Sequence, residues 1–159
     1  MGIRYISGIE LDCRYKGIDL HVLGYGIDYD SPEFEAIEQN IVRQNVTASK
    51  ERLRLIQKLG FALSERDLNA ASECLHQNVW TGEMFAEALL QNPEYVHHPL
   101  LKPYRAGEAK SDNPYVRFYW DYFSQGKACY APMAFPTLSN AVSSIHKSGG
   151  KAVLAHPGI

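Results

Sequence analysis

The clearest structural signal in this sequence lies in residues 3–27, IRYISGIELDCRYKGIDLHVLGYGI. Residues 3–13 and 18–27 are both rich in β-branched and aromatic side chains, a composition typical of strands. Between them, residues 15–17 end on a glycine, which tolerates the positive φ that a tight turn requires. We therefore predict two strands joined as a hairpin.

The middle of the chain carries mainly helical signals. Ser31 and Pro32 form a helix start, because proline is favoured at the first helical position and an acid follows it. Residues 92–113 contain three prolines, a glycine and many polar side chains, so we predict a long surface loop there, an insertion or a lid. Helices are predicted over residues 33–59, 64–76, 81–91, 115–123 and 137–147.

The last segment, residues 149–158, reads GGKAVLAHPG. Two glycines end a helix, an apolar strand follows over residues 151–155, and His156 stands at the carboxyl end of that strand. In α/β barrels the catalytic and ligand-binding residues lie at the carboxyl ends of the strands. His156 is therefore a candidate functional residue.

Composition narrows the class of protein. Hydrophobic residues make up 45% and charged residues 21% of the 159, which is ordinary for a globular domain with its own core. The net charge of −2 gives no general attraction to nucleic acid, so phosphate binding would need a local site. No segment resembles a signal peptide or a membrane span. Three separated cysteines, Cys13, Cys74 and Cys129, fit a reducing compartment, and we predict a cytoplasmic protein without a membrane partner.

Two polar residues stand out in the predicted hairpin. Glu10 lies inside an apolar strand, where an acid is rare unless it is paired or bound to metal. The alternative is an edge-strand acid that faces water. His21 lies in the second strand close to two glycines, and its alternative is an ordinary surface or core histidine.

The order of these motifs resembles the PHP (polymerase and histidinol phosphatase) superfamily of metal-dependent phosphoesterases. The motifs are GIEL at residues 8–11, HVLGYGID at 21–28 and GGKAVLAHPG at 149–158, and FYWDYFSQGKACYAP and PTLSNAVSSIHKSGG lead into the last. The branch most similar is that of nucleoside 3',5'-bisphosphate phosphatases and short-RNA exonucleases.

The resemblance implies an α/β fold: two or three strands of a distorted β/α barrel with a mainly α-helical insertion. Residues 1–32 and 127–159 would belong to the barrel and residues 33–126 to the insertion. Glu10, His21 and His156 would be ligands of two or three divalent ions, namely manganese, iron, zinc or magnesium. The implied reaction is hydrolysis of a nucleotide-type phosphomonoester or phosphodiester by a metal-activated water, with a small nucleotide or short oligonucleotide as substrate.

The sequence also departs from the family pattern. The His-x-His and Asp-His motifs would lie before residue 1, and the closing Asp-x-His after residue 159. We therefore expect an internal fragment that is inactive alone, and its unpaired strand edges would allow it to dimerise. Two alternatives stay open: a non-catalytic scaffold or nucleic-acid-binding module, and another PHP hydrolase such as a histidinol phosphatase.

The phosphate contact usual in the family is also missing, since residues 79–89, VWTGEMFAEAL, hold neither the expected arginine nor the histidine. Basic residues on the first predicted helix are candidates for that contact, and Arg43 and Arg52 are our choice of substrate-binding residues. A solvated helix face is the alternative for the whole set, which comprises Arg43, Lys50, Arg52 and Arg54.

Overall fold

The computed structural model describes residues 2–71 and 79–157 of the chain. Three strands form one sheet in the order β1-β2-β3, and both neighbouring pairs are antiparallel. The strands are β1 (Gly8–Tyr15), β2 (Ile18–Tyr25) and β3 (Lys151–Leu154). The predicted hairpin is confirmed, because β1 and β2 pair along their whole length from Gly8 opposite Tyr25 to Tyr15 opposite Ile18.

The hairpin turn consists of Lys16 and Gly17, with φ of 50° and 84° respectively. Positive φ at both central residues is the pattern of turns whose twist matches that of the flanking strands. The turn therefore fixes the register of β1 against β2, and with it the side chains that face one another.

The helices begin where the sequence offers caps. The Ser31 hydroxyl accepts a hydrogen bond from the Glu33 N–H at the start of the first helix, Thr81 caps the third, and Thr137 caps the fifth. The predicted helix over residues 64–76 is found as far as Ala71, and its remainder falls outside the described residues. The helices are α1 (Pro32–Lys58), α2 (Glu65–Ala71), α3 (Gly82–Gln91), α4 (Pro114–Tyr122) and α5 (Leu138–Lys147).

The prediction of a long surface loop over residues 92–113 is confirmed only in part, because most of these residues are exposed but the segment is not structureless. This segment forms two 3-10 turns, Pro93–Tyr95 and Lys102–Tyr104, and it buries Tyr95, Leu101 and Tyr104 in a core. Pro93 starts the first of these turns and Pro103 is the second residue of the other, since proline suits the first turn of a helix. Three buried side chains therefore anchor the segment in the core of the helical unit, while most of its residues lie at the surface.

The chain divides into two compact units. Met1–Val42 together with Ala134–Ile159 form the first, which we call the strand unit, and Arg43–Met133 form the second, the helical unit. The first eleven residues of α1 thus group with the strands. The boundaries predicted from the sequence lie after residues 32 and 126, whereas the two compact units divide after Val42 and Met133.

The core of the strand unit lies between one face of the sheet and α5. Gly24 allows this close packing, because a Cβ at that position would lie 3.0 Å from Cγ1 of Ile145. The core residues are Leu11, Cys13, Val22, Ile27, Phe34, Ala141 and Ile145. With this face covered, the opposite face of the hairpin is free to carry polar side chains.

The helical unit has its own core, built largely from aromatic side chains. Trp80, Phe85 and Phe118 are fully buried there, and Phe85 packs against Phe123 with ring centroids 5.2 Å apart. Among residues 2–71 and 79–157, no helix combines the length and the apolar character needed to cross a membrane.

Candidate metal centre

The polar face of the hairpin carries the candidate site. Side chains alternate along a strand, so Glu10 and Asp12 of β1 share one face. His21 of β2 lies directly opposite Asp12 in the register and therefore points to the same side. Their sequence neighbours Leu11 and Val22 point to the other side and are buried in the core.

His156 reaches this face through the pairing of β3 with β2. The N–H of Ala155 donates to the carbonyl oxygen of His21 at 2.9 Å, so the chain leaves β3 beside His21. His156 itself has a φ of 27°, in the region that residues with a side chain adopt rarely, and it precedes Pro157. Backbone strain of this kind concentrates at functional sites.

Three ligand-type atoms meet on this face. His21 Nδ1 lies 3.1 Å from Oε1 of Glu10 and 3.1 Å from Nε2 of His156. The third distance, from His156 Nε2 to Glu10 Oε1, is 3.4 Å. The structure thus brings together the three residues that the resemblance singled out, although 135 residues separate the two histidines.

The donor set and its spacing fit a divalent cation. Ligand bonds of about 2.0–2.1 Å in a tetrahedral arrangement place neighbouring ligand atoms about 3.3 Å apart. Imidazole nitrogens with a carboxylate oxygen suit manganese, iron or zinc better than magnesium. All three side chains keep 40–50% of their surface exposed, so a ligand from solvent has access to the cluster.

The barrel rule that points to His156 accounts for only part of this site. We placed His156 by the rule for parallel strands, whereas the described strand pairs are all antiparallel. Glu10 and His21 project from the middle of their strands, and only His156 stands at a strand end. The site is formed by one face of an antiparallel sheet, which the period of two along each strand predicts.

Asp12 is the functional candidate that sequence reasoning missed. Its Oδ1 lies 2.9 Å from Nε2 of His21, on the side of the ring away from the cluster. Partial burial raises the pKa of the Asp12 carboxyl, with a smaller contribution from nearby Glu10 and an opposing one from His21. Its position two residues after Glu10 on the same strand was the signal that could have revealed it.

A cavity of about 310 Å³ adjoins the two carboxylates. It follows β1 towards the first turns of α1, and it lies within the strand unit. Its size is at the lower end of that of small-molecule sites. The lining includes Glu10, Asp12, Tyr29, Phe34, Ile37 and Glu38.

The basic residues of α1 differ from one another in their surroundings. Arg54 forms an exposed ion pair with Glu51, with 2.5 Å between nitrogen and oxygen, and Arg43 and Lys50 are exposed. Arg52 is partly buried, and burial lowers the pKa of its guanidinium. Within the described residues no carboxylate lies at ion-pair distance from Arg52, and its buried Nε has no hydrogen-bond partner.

The comparisons with known proteins agree with the motifs. No family model matches the chain. The chain is 29% identical over 160 residues to the 5'-3' exoribonuclease Rnm of Escherichia coli, an alignment that covers 99% of the chain and 47% of that protein. It is 26% identical over 159 residues to the 3',5'-nucleoside bisphosphate phosphatase of Chromobacterium violaceum, covering 99% of the chain and 48% of that protein.

A solved structure shares the fold. The structure of an amidohydrolase from Chromobacterium violaceum, with bound sulfate and no metal, superposes with a TM-score of 0.72 at 22% identity. The match covers 96% of this chain and 47% of that one. The chain therefore spans about half the length of the curated relatives it matches. The names of these relatives support the resemblance to PHP-type phosphoesterases and the prediction that the parent protein is a hydrolytic enzyme.

Proposed function

We propose that this chain is part of a metal-dependent phosphoesterase that hydrolyses a nucleotide or a short RNA. The observation that carries the proposal is the convergence of Glu10 Oε1, His21 Nδ1 and His156 Nε2 within 3.1–3.4 Å of one another. Relatives named as an exoribonuclease and a bisphosphate phosphatase support the choice of substrate class.

The residues of the cluster have distinct tasks in this proposal. Glu10 offers a carboxylate with two oxygens, which allows it to bridge two ions, while His21 and His156 each offer a neutral ring nitrogen. Divalent ions at such a site polarise a phosphoester and lower the pKa of water. The half-exposed side chains would hold such ions at a surface that substrate can approach.

We further propose that the three residues are only part of the ligand set. The matched relatives are about twice as long as this chain, and a site with two or three ions needs more ligands than three side chains provide. The chain alone would then bind a cation weakly and show no turnover. The parent fold in this proposal is a β/α barrel of which the three-stranded sheet is a part.

Arg43 and Arg52 are the proposed substrate-binding residues. Arg52 has the stronger support, because a partly buried guanidinium without a carboxylate partner among the described residues is suited to receive a phosphate. Arg54 is already paired with Glu51, so we do not propose it as a substrate-binding residue.

The proposal also covers the cellular compartment of the protein and the oligomeric state of the isolated chain. Cys13 and Cys129 are buried free thiols, which fits the reducing cytoplasm that the sequence predicted, while Cys74 lies outside the described residues. β1 and β3 form the edges of the described sheet, and we propose that the isolated chain dimerises through such an edge.

The test is made on the longer protein that contains this chain, with manganese and a panel of a nucleoside 3',5'-bisphosphate and a short RNA. The Glu10→Gln variant should lose about 100-fold in activity at a manganese concentration below saturation. The roughly 10–16 kcal/mol gained by a site with four ligands corresponds to about 3 kcal/mol per ligand, which is about 100-fold in cation affinity. Glu38→Gln is the matched control, because Glu38 lines the same cavity without joining the cluster. Equal activities of the two variants, or turnover unaffected by a chelator, would contradict the proposal.

A further inference from the structure

A carboxylate outside the cluster contacts one of the proposed ligands. Asp12 and His21 are direct cross-strand neighbours in the β1–β2 hairpin. Side chains at such positions are close enough to interact, and Asp12 Oδ1 lies 2.9 Å from His21 Nε2. The contact therefore follows from the register of the hairpin.

The two ring nitrogens of His21 face different surroundings. Nε2 faces the Asp12 carboxylate, whereas Nδ1 faces Glu10 Oε1 and His156 Nε2. A neutral imidazole carries one proton, and its location is set by the hydrogen bond that the second nitrogen makes. Both nitrogens therefore have a carboxylate neighbour, at 2.9 Å for Nε2 and 3.1 Å for Nδ1. The shorter contact favours the proton on Nε2, and a cation held by Glu10 would exclude a proton from Nδ1, so the lone pair of Nδ1 is directed at the cluster.

We propose that Asp12 is a positioning residue: it accepts a hydrogen bond from Nε2 of His21 and so holds Nδ1 ready to bind a cation. This inference rests on the proposed metal site. Asp12 is not itself among the residues whose ligand atoms converge within the described part of the chain. It acts on the cation through His21, as carboxylates behind metal-binding histidines do.

A role in folding does not explain the contact. Asp12 and His21 are about half exposed, and an exposed ion pair contributes at most about 1 kcal/mol to stability. The hairpin is already held by pairing along eight residues of each strand and by a buried core on its other face. Replacing Asp12 should therefore leave the fold intact and change only which ring nitrogen of His21 carries the proton.

The experiment measures the tautomer and the cation affinity separately on the full chain. Nitrogen-15 NMR of the imidazole rings, without metal, reports which nitrogen of His21 carries the proton. Titration with zinc gives a dissociation constant for the wild type and for Asp12→Asn and Asp12→Ala. Asp30→Asn is the matched control, because it removes the same charge from an exposed position of the same unit.

We expect His21 in the wild type to be protonated on Nε2. Asp12→Ala should lose that preference and weaken zinc binding about 10- to 100-fold. The zinc affinity of Asp12→Asn should lie between that of the wild type and that of Asp12→Ala, since an amide oxygen still accepts a hydrogen bond but carries no charge. Asp30→Asn should stay within about twofold of the wild type.

The outcomes separate the two proposals. Protonation of His21 on Nδ1 in the wild type, or zinc affinity of both Asp12 variants within about twofold of the wild type, overturns the positioning role and leaves the metal site standing. Zinc binding by the wild type no tighter than by His156→Ala overturns the metal site and the inference with it. If Asp12→Ala loses the circular dichroism of the folded chain, Asp12→Asn alone decides.

Discussion

Ser49 should be among the most sensitive polar positions in the helical unit. The residue is fully buried, and its hydroxyl both accepts from the Trp80 N–H at 2.8 Å and donates to the Trp80 carbonyl at 3.2 Å. One side chain thus satisfies both backbone groups of a residue that lies just before α3. Replacing Ser49 with alanine leaves the Trp80 N–H without this partner.

The expected loss of stability follows from these contacts. A buried donor left unsatisfied costs roughly 1–3 kcal/mol. The carbonyl of Trp80 keeps a second donor, the Arg52 guanidinium at 3.4 Å, and alanine improves the helix propensity by about 0.5 kcal/mol. We therefore expect Ser49→Ala to lower the free energy of unfolding by about 2 kcal/mol.

Urea unfolding followed by tryptophan fluorescence measures this change. With a slope near 2 kcal/mol per molar, the urea midpoint should fall by about 1 M. Thr47→Ala is the control, because Thr47 lies on the same helix and its hydroxyl makes only an exposed bond to the Arg43 carbonyl. A change below about 0.5 kcal/mol for Ser49→Ala, or an equal change for Thr47→Ala, would refute the reasoning.

Two further predictions concern packing and pH. Gly82→Ala should lower the melting temperature, because its added carbon would lie 2.5 Å from an aromatic ring of α4 and such overpacking costs about 1–3 kcal/mol; Gly2→Ala, which meets nothing within 4 Å, should leave the melting temperature unchanged. Burial acts to raise the pKa of Asp121, but hydrogen bonds from Lys110 and Tyr104 outweigh it, so the pKa lies below its usual range. A carboxyl with a depressed folded pKa contributes stability above its unfolded pKa of about 4 and loses it as the pH falls through the folded pKa. The difference in melting temperature between the wild type and Asp121→Asn should therefore shrink between pH 7 and pH 2, and a constant difference would contradict the assignment.

Local signals predicted most of the secondary structure. Glycine in the hairpin turn and Ser31-Pro32 before α1 act through their own backbone preferences, which need no tertiary context. The segment 92–113 was predicted only in part, because proline and polar residues look alike in an exposed loop and in short turns anchored to a core. Only the burial of Tyr95 and Tyr104 distinguishes the two, and burial is a tertiary property.

The residues of the candidate site could be predicted from the sequence, but the strand pairing that brings them together could not. The motif order singled out Glu10, His21 and His156, but the sequence did not show that β3 pairs antiparallel with β2 and so carries His156 to His21. The contribution of Asp12 depends on the register of the hairpin, which places it opposite His21. Long-range pairing of this kind has no local signature in the sequence.

The connectivity of the cluster has an entropic consequence. Glu10 and His21 meet through a tight turn, whereas His156 joins them across a chain that includes all of Arg43–Met133. In the unfolded chain, closing a loop of that length costs roughly 4 kcal/mol, against about 2 kcal/mol for the short segment between Glu10 and His21. A cation held by all three side chains would favour the closed chain by mass action. Cation affinity and the ordering of the carboxyl-terminal strand are then thermodynamically linked, so a substitution far from the cluster that loosens this strand weakens the binding of the ion.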